Sequence, residues 1–302
     1  MLPIFLVLTS VVILLLSYFI DKYNESYWKK RGVKLQDHFK LGIFGQFIAG
    51  NRSMFELISE LYEKYRKEPA VGLSASFNPA LFVIDKTNVQ HVLQQDFQSF
   101  NHRGIDINEG DLLADNILFM NGNRWKLMRQ NMTSMFTSAK LKNMYNGKLT
   151  YEAVMDMEYL ENVLSEALRM YPPIGFLTRK CVRDTILPVG NIPVKEGTNI
   201  ITPIFDIHYD PEYYPNPTVF DPTRFENDSL QNSTLYMPFG KGNRLCVGVR
   251  YARLQVKTGL VHILRNFTVK SKVLDDKIIY KKAQVQVRPG NLDIEFIPRQ
   301  LV

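Results

Sequence analysis

Ten residues, Phe239-Gly240-Lys241-Gly242-Asn243-Arg244-Leu245-Cys246-Val247-Gly248, constrain this chain more than any other stretch. Glycines at 240 and 242 let the backbone turn tightly, pass close to a flat ligand and aim N–H groups at a sulfur. Such hydrogen bonds hold down a thiolate's pKa and tune the potential of a metal bound to it. Gly248 permits close approach where the next helix begins, and the positive end of that helix favours an anionic sulfur. Arg244, two residues before the cysteine, is placed to reach an anionic ligand edge. The competing reading is a buried free cysteine beside a glycine loop. For Cys181, in a strand-like run, that reading is the preferred one.

Composition narrows the surroundings of this loop. With 302 residues and 45% hydrophobic content the chain is long and apolar enough for a real core, and disorder, collagen and coiled-coil classes are excluded. Two cysteines rule out a disulfide scaffold, and the five histidines show none of the paired spacing of a structural zinc site. The net charge of +7 comes without a dense Lys/Arg stripe, so an acidic partner or a membrane surface fits better than nucleic acid.

The run Leu2 to Ile20 would make a helix of about 28 Å, close to the thickness of a bilayer core. Lys22, Lys29, Lys30 and Arg31 follow it, and Tyr18, Tyr23, Tyr27 and Trp28 fall at interfacial depth. It reads as an uncleaved membrane anchor over 1–20, with the bulk of the chain cytosolic. Beyond it, Ser53-x-x-Glu56 opens a helix that Pro69 closes. Strands follow near 71–75 and 81–84 about an Asn78-Pro79 turn, then a helix over 124–136 and another over 151–170 that Pro172-Pro173 stops. Strands and turns occupy 174–202, and 209–228 is irregular. A helix over 249–264 and strand-like pieces at 278–280, 285–287 and 294–297 complete the chain.

At the cysteine loop the sequence resembles the cytochrome P450 family, the heme-thiolate monooxygenases. The family pattern Phe-x-x-Gly-x-Arg-x-Cys-x-Gly is met by Phe239, Gly242, Arg244, Cys246 and Gly248. Three further motifs occur in order: Trp125-x-x-x-Arg129, Glu166-x-x-Arg169 and Pro222-Thr223-Arg224-Phe225. The apolar N-terminus resembles the microsomal branch, and the C-terminal half resembles insect xenobiotic-metabolising members. The resemblance implies a mainly α fold with small β-sheets and heme b (iron protoporphyrin IX) as cofactor. Cys246 would be the axial thiolate, and Trp125, Arg129, Arg244 and Arg179 the propionate ligands, with Arg103 a further candidate. Glu166, Arg169 and Arg224 would form a buried triad that fixes the cysteine loop. FAD, FMN and NADPH would enter only through a partner, NADPH-cytochrome P450 reductase, with cytochrome b5 a second donor. Lys241 and Arg250 would either dock an acidic reductase or form a solvated charged face. The setting implied is the endoplasmic reticulum membrane, single-pass, and the substrate an apolar small molecule.

The chain lacks the middle of the family pattern. Only forty residues part Trp125 from Glu166, which leaves no room for the middle helices, including the distal I helix beside the oxygen site. The chain therefore divides into the anchor, an N-terminal part of the P450 domain over 21–145, and a C-terminal part over 146–302, with a join near Tyr145–Asn146. Two functions follow from the resemblance: a monooxygenase inserting one oxygen atom from O2, or a remnant that binds heme or reductase without turnover. Substrate-facing surface would survive at 101–118, 174–178 and 285–290.

Overall fold

The computed structural model describes residues 2–36, 47, 49–50, 52–73, 78–106, 116–144, 150–227, 229–272 and 278–299, with only the helical backbone at 2–7 and at Leu14. The chain forms two compact units, Met1–Asp106 with Phe176–Pro203, and Ile107–Gly175 with Ile204–Val302. The expected join at Tyr145–Asn146 and part of the expected 101–118 surface lie outside the described residues.

The first unit opens with α1 (Leu2–Lys29) and α2 (Met54–Tyr65). The capping box at α2 is present: the N–H and the hydroxyl of Ser53 both donate to the Glu56 carboxylate, at 2.9 and 2.6 Å. The apolar spacing expected there buries Leu57, Ile58, Leu61, Tyr62 and Tyr65. Strands β1 (Ala70–Leu73) and β2 (Ala80–Val83) pair antiparallel, as the Asn78-Pro79 turn predicts. A short helix α3 (Lys86–Gln90) then runs on through a π turn over His91–Gln95. After β3 (Phe176–Lys180), β4 (Thr185–Leu187) and β5 (Ile192–Val194), β6 (Asn199–Pro203) inserts beside β2, giving a four-stranded sheet in the order β1-β2-β6-β3. Every residue of β1 and β2 is buried, which fits their uninterrupted apolar sequence.

The structure gives no support to the expected span over 1–20, and the side chains of residues 1–7 and of Leu14 lie outside the described residues. Among the described residues no helix is long and apolar enough to cross a membrane. The helix itself forms over Leu2–Lys29, and Asp21, Lys22, Glu25 and Lys29 lie in its last third, after the expected span. That end packs on protein instead: Trp28 is fully buried, and a Cβ at Gly72 of β1 would overlap its indole ring. Toward the N-terminus of the helix Leu8, Val11, Val12, Ile13, Leu15, Leu16 and Phe19 are exposed.

The second unit starts with α4 (Gly122–Thr133), which tightens into a 3-10 turn at Ser134–Phe136. The expected helix over 151–170 is two helices, α6 (Tyr151–Met155) and α7 (Glu158–Met170), which follow α5 (Ser138–Met144). Thr150 caps the first by accepting from the Ala153 N–H. Glu158 and Glu161 then favour a fresh N-terminus after Asp156, because acids stabilise a first turn. From Ser138 to Met155 the described residues form only these two short helices, α5 and α6. The unit continues with α8 (Phe205–Tyr209), a 3-10 turn at Pro222–Phe225, α9 (Ser229–Asn232) and α10 (Val249–Asn266). It ends in a two-stranded ribbon of β7 (Phe267–Ser271) and β8 (Ile294–Pro298). The pieces at 278–280 and 285–287 are not strands; Tyr280 and Gln286 form single bridges to Pro289 and Ile174.

The second unit leaves much apolar surface uncovered. Leu141, Val154 and Leu254 form a small buried cluster with Phe136, Tyr151 and Met155 packed on it. Leu127, Met128 and Met135 near α4, and Val256 and Leu264 on α10, are exposed.

Candidate functional site

The cysteine loop closes on itself before α10. Gly240 and Gly242 adopt φ of +80° and +68°, a region that residues with a Cβ rarely adopt. The Gly240 N–H donates to Met237 O at 2.9 Å, Gly242–Arg244 forms a 3-10 turn, and the Cys246 N–H donates to Phe239 O at 3.0 Å. These bonds hold Cys246 as a free, exposed thiol just before Gly248, the N-cap of α10. No close protein approach demands the glycine at 248: a Cβ there would meet only Phe136 Cε1, at 3.9 Å.

Two turns of α4 face this loop. Trp125 is the one buried residue of the helix, and the Arg244 guanidinium lies 3.9 Å from its ring centroid. Arg244 Nη1 donates to Met120 O at 2.8 Å, and Nη2 donates to Asn121 Oδ1 at 3.2 Å. Asn121 is the N-cap position of α4, yet its side chain makes no cap bond and holds Arg244 instead. Sequence reasoning missed Asn121, although an Asn directly before Gly122 at a helix start is a visible cue. One turn beyond Trp125, Arg129 Nη1 donates to Leu245 O at 2.7 Å, the carbonyl adjacent to Cys246. Partial burial lowers the Arg129 pKa and the neighbouring Cys246 opposes that shift. Trp125, Arg129, Arg244 and Cys246 are therefore gathered in one unit.

Behind the loop lies a buried charged network. Arg169 donates from Nε and Nη2 to the two Glu166 oxygens at 2.7 and 2.9 Å, with both side chains fully buried. Arg224 Nε stands 3.4 Å from Glu166 Oε1, to which the Asp221 N–H also donates at 3.0 Å. Such a fork is geometrically specific, and removing one member strands a buried charge. Arg169 also donates to His208 O and Pro217 O. The spacing of the histidines gave no signal for His208, yet it is fully buried and links this network to the loop. Its Nδ1 lies 3.0 Å from Arg169 O, and its Nε2 accepts from the Met237 N–H at 3.1 Å. The neutral ring with its proton on Nδ1 satisfies both contacts. Burial pushes the pKa of His208 down to about 3.

Arg179 belongs to the first unit, on β3. It is buried, donates to Thr178 O at 2.7 Å, and has its pKa lowered to about 9, chiefly by burial and then by Arg103. Cys181, also in the first unit, is buried and donates to Arg183 O at 2.9 Å. Burial raises that thiol to about 11, which makes it an inert structural cysteine. An open groove of about 690 Å³ lies in the second unit, lined by Glu158, Tyr159, Asn162, Glu226 and Gln231 among others, and no residue of the cysteine loop lines it.

Among the described residues no three His, Cys, Asp or Glu side chains gather as a metal cage. The donor set fits a porphyrin: an exposed thiol for the metal, with two guanidinium groups and an indole beside it for carboxylates.

The sequence model of the family described as Cytochrome P450 matches residues 36–147 and 144–296. The chain belongs to the cytochrome P450 family, in a shortened form. The two matched stretches overlap at 144–147. Among similar curated proteins, "Probable cytochrome P450 6a13" of Drosophila melanogaster is 45% identical over 124 residues, 40% of this chain and 25% of that protein. "Cytochrome P450 9e2" of Blattella germanica is 47% identical over 128 residues, 41% of this chain and 24% of that protein. "Cytochrome P450 6B7" of Helicoverpa armigera is 36% identical over 161 residues, 52% of this chain and 32% of that protein. The chain thus matches about a quarter to a third of the length of these relatives.

Proposed function

We propose that this chain is a heme-thiolate protein in which Cys246 ligates iron and Trp125, Arg129 and Arg244 receive the heme carboxylates. The observation that carries the reading is the placement of an exposed thiol beside Arg129, Arg244 and Trp125 in one unit. Bound heme would supply dioxygen activation, and the thiolate would push electron density toward it. Arg179 enters the proposal through its place in the sequence alone, and Phe239 and Gly248 as loop residues that shape the thiolate's surroundings. Glu166, Arg169 and Arg224 are the structural triad, and His208 carries their restraint to Met237.

The reaction proposed for the family site is insertion of one oxygen atom of O2 into an apolar small molecule. The second oxygen leaves as water, and two electrons come from NADPH through a flavoprotein reductase, with cytochrome b5 as a second donor. Exposed Arg250 and half-buried Lys241 are the proposed docking charges. The exposed apolar side chains of α1 are proposed to rest against a membrane, the endoplasmic reticulum being the one the resemblance implies. Removing residues 1–20 should move most of the chain from the membrane to the soluble fraction in flotation. Unchanged flotation would refute that assignment.

A second reading, heme binding without productive turnover, is favoured by the short α5–α6 segment between Trp125 and Glu166. Proton delivery and exclusion of water need a covered distal face. Reconstitution with reductase and NADPH separates the two. The second reading predicts hydrogen peroxide release with little product; product formation matched to NADPH consumption supports the first.

A further inference from the structure

We propose that β8 pairs antiparallel with β8 of a second copy of this chain, joining the two C-terminal ribbons into one four-stranded sheet. Among the described residues the ribbon has an open edge, and β8 pairs only with β7. The Lys272 N–H donates to Asp293 O and the Arg299 N–H to Asn266 O, so residues 293 and 299 direct backbone groups toward β7. By the two-residue period of a strand, Ile294, Phe296 and Pro298 turn theirs to the open edge.

A two-fold axis at Phe296 uses that edge well. Phe296 exchanges two backbone hydrogen bonds with its own copy, and each Ile294 N–H meets the other copy's Pro298 carbonyl. Pro298 lacks an N–H, which removes two more bonds and is tolerated on an edge strand. In the same register Asp293 of each copy faces Arg299 of the other, and Glu295 faces Ile297. Opposite charges therefore meet at both ends of the pairing, with no like charges directly opposed. Asp293 and Arg299 are both exposed.

The faces agree as well. Phe267, Val269, Ile294, Phe296 and Pro298 share one face of the ribbon, with the Phe267 and Phe296 rings 5.9 Å apart. Yet Phe296 is 50% exposed, Ile294 47% and Val269 39%. Self-pairing sets Phe296 beside its own copy and joins two small apolar faces into one. An exposed strand edge carrying apolar side chains is a template for strand addition.

Sedimentation of the full chain in detergent micelles tests the proposal. The wild type should associate reversibly to a dimer at micromolar concentration. D293R and R299D should each weaken association by about tenfold, since each sets two like-charge pairs opposite one another. The double variant D293R/R299D restores both pairs with signs exchanged and should recover the dimer, which also shows that these positions tolerate substitution. A monomer throughout, single variants that associate as the wild type does, or a double variant that fails to recover would each overturn the proposal.

Discussion

His208 is the residue whose environment makes the sharpest prediction about acid. Its folded pKa of about 3 lies below the ordinary 6.5. Between those values the unfolded chain binds a proton there and the folded chain does not, so stability rises with pH across that window and falls on acidification. The slope from this group approaches about 1.4 kcal/mol per pH unit. Urea unfolding between pH 4.5 and 6.5 should show that slope, and H208Q should flatten it, since glutamine does not titrate. An unchanged slope in H208Q would contradict the assignment. The contrast with the triad shows what was readable. Glu166, Arg169 and Arg224 stand in recognisable local motifs, whereas His208 acts through carbonyls and an N–H contributed by residues far along the chain. Asn121 is hidden for the same reason, its partner Arg244 being distant in sequence.

At the scale of elements, local chemistry was legible where one segment settles its own structure. The Ser53–Glu56 capping box and the Asn78-Pro79 turn need only neighbouring residues, and both elements form. The break between α6 and α7 was not legible, because the apolar spacing runs through it and no proline marks it. Strand β7 was missed because its sequence continues directly from a helix, and it becomes a strand by pairing with β8. The C-terminal end of α1 is the clearest case of tertiary contact outweighing a local pattern: Trp28, expected at a membrane interface, is buried over Gly72. That contact is testable. G72A forces a methyl group into the indole, and overpacking of this kind costs about 1–3 kcal/mol. Thermal unfolding should show the loss, whereas G259A on α10, with nothing within 4 Å of the added Cβ and no positive φ, should not destabilise. Equal stability of G72A and wild type would remove the packing claim.

For the whole molecule, family membership was legible because ten loop residues carry it, and the shortened middle was legible as a simple lack of chain between two motifs. The anchor was read from the apolar run, its basic flank and its aromatic residues, a local pattern that does not reveal how the far end of the helix docks. The account rests most heavily on Cys246 as the iron ligand. The direct measurement is the carbon monoxide spectrum of the reduced, heme-loaded full chain, compared among wild type, C246A and C181A. Cys246 is exposed beside Arg129 and Arg244, whereas Cys181 is buried with its thiol raised to about 11. A thiolate-type band should appear in wild type and C181A and vanish in C246A. A band that survives in C246A, or is lost equally in both variants, would contradict the account.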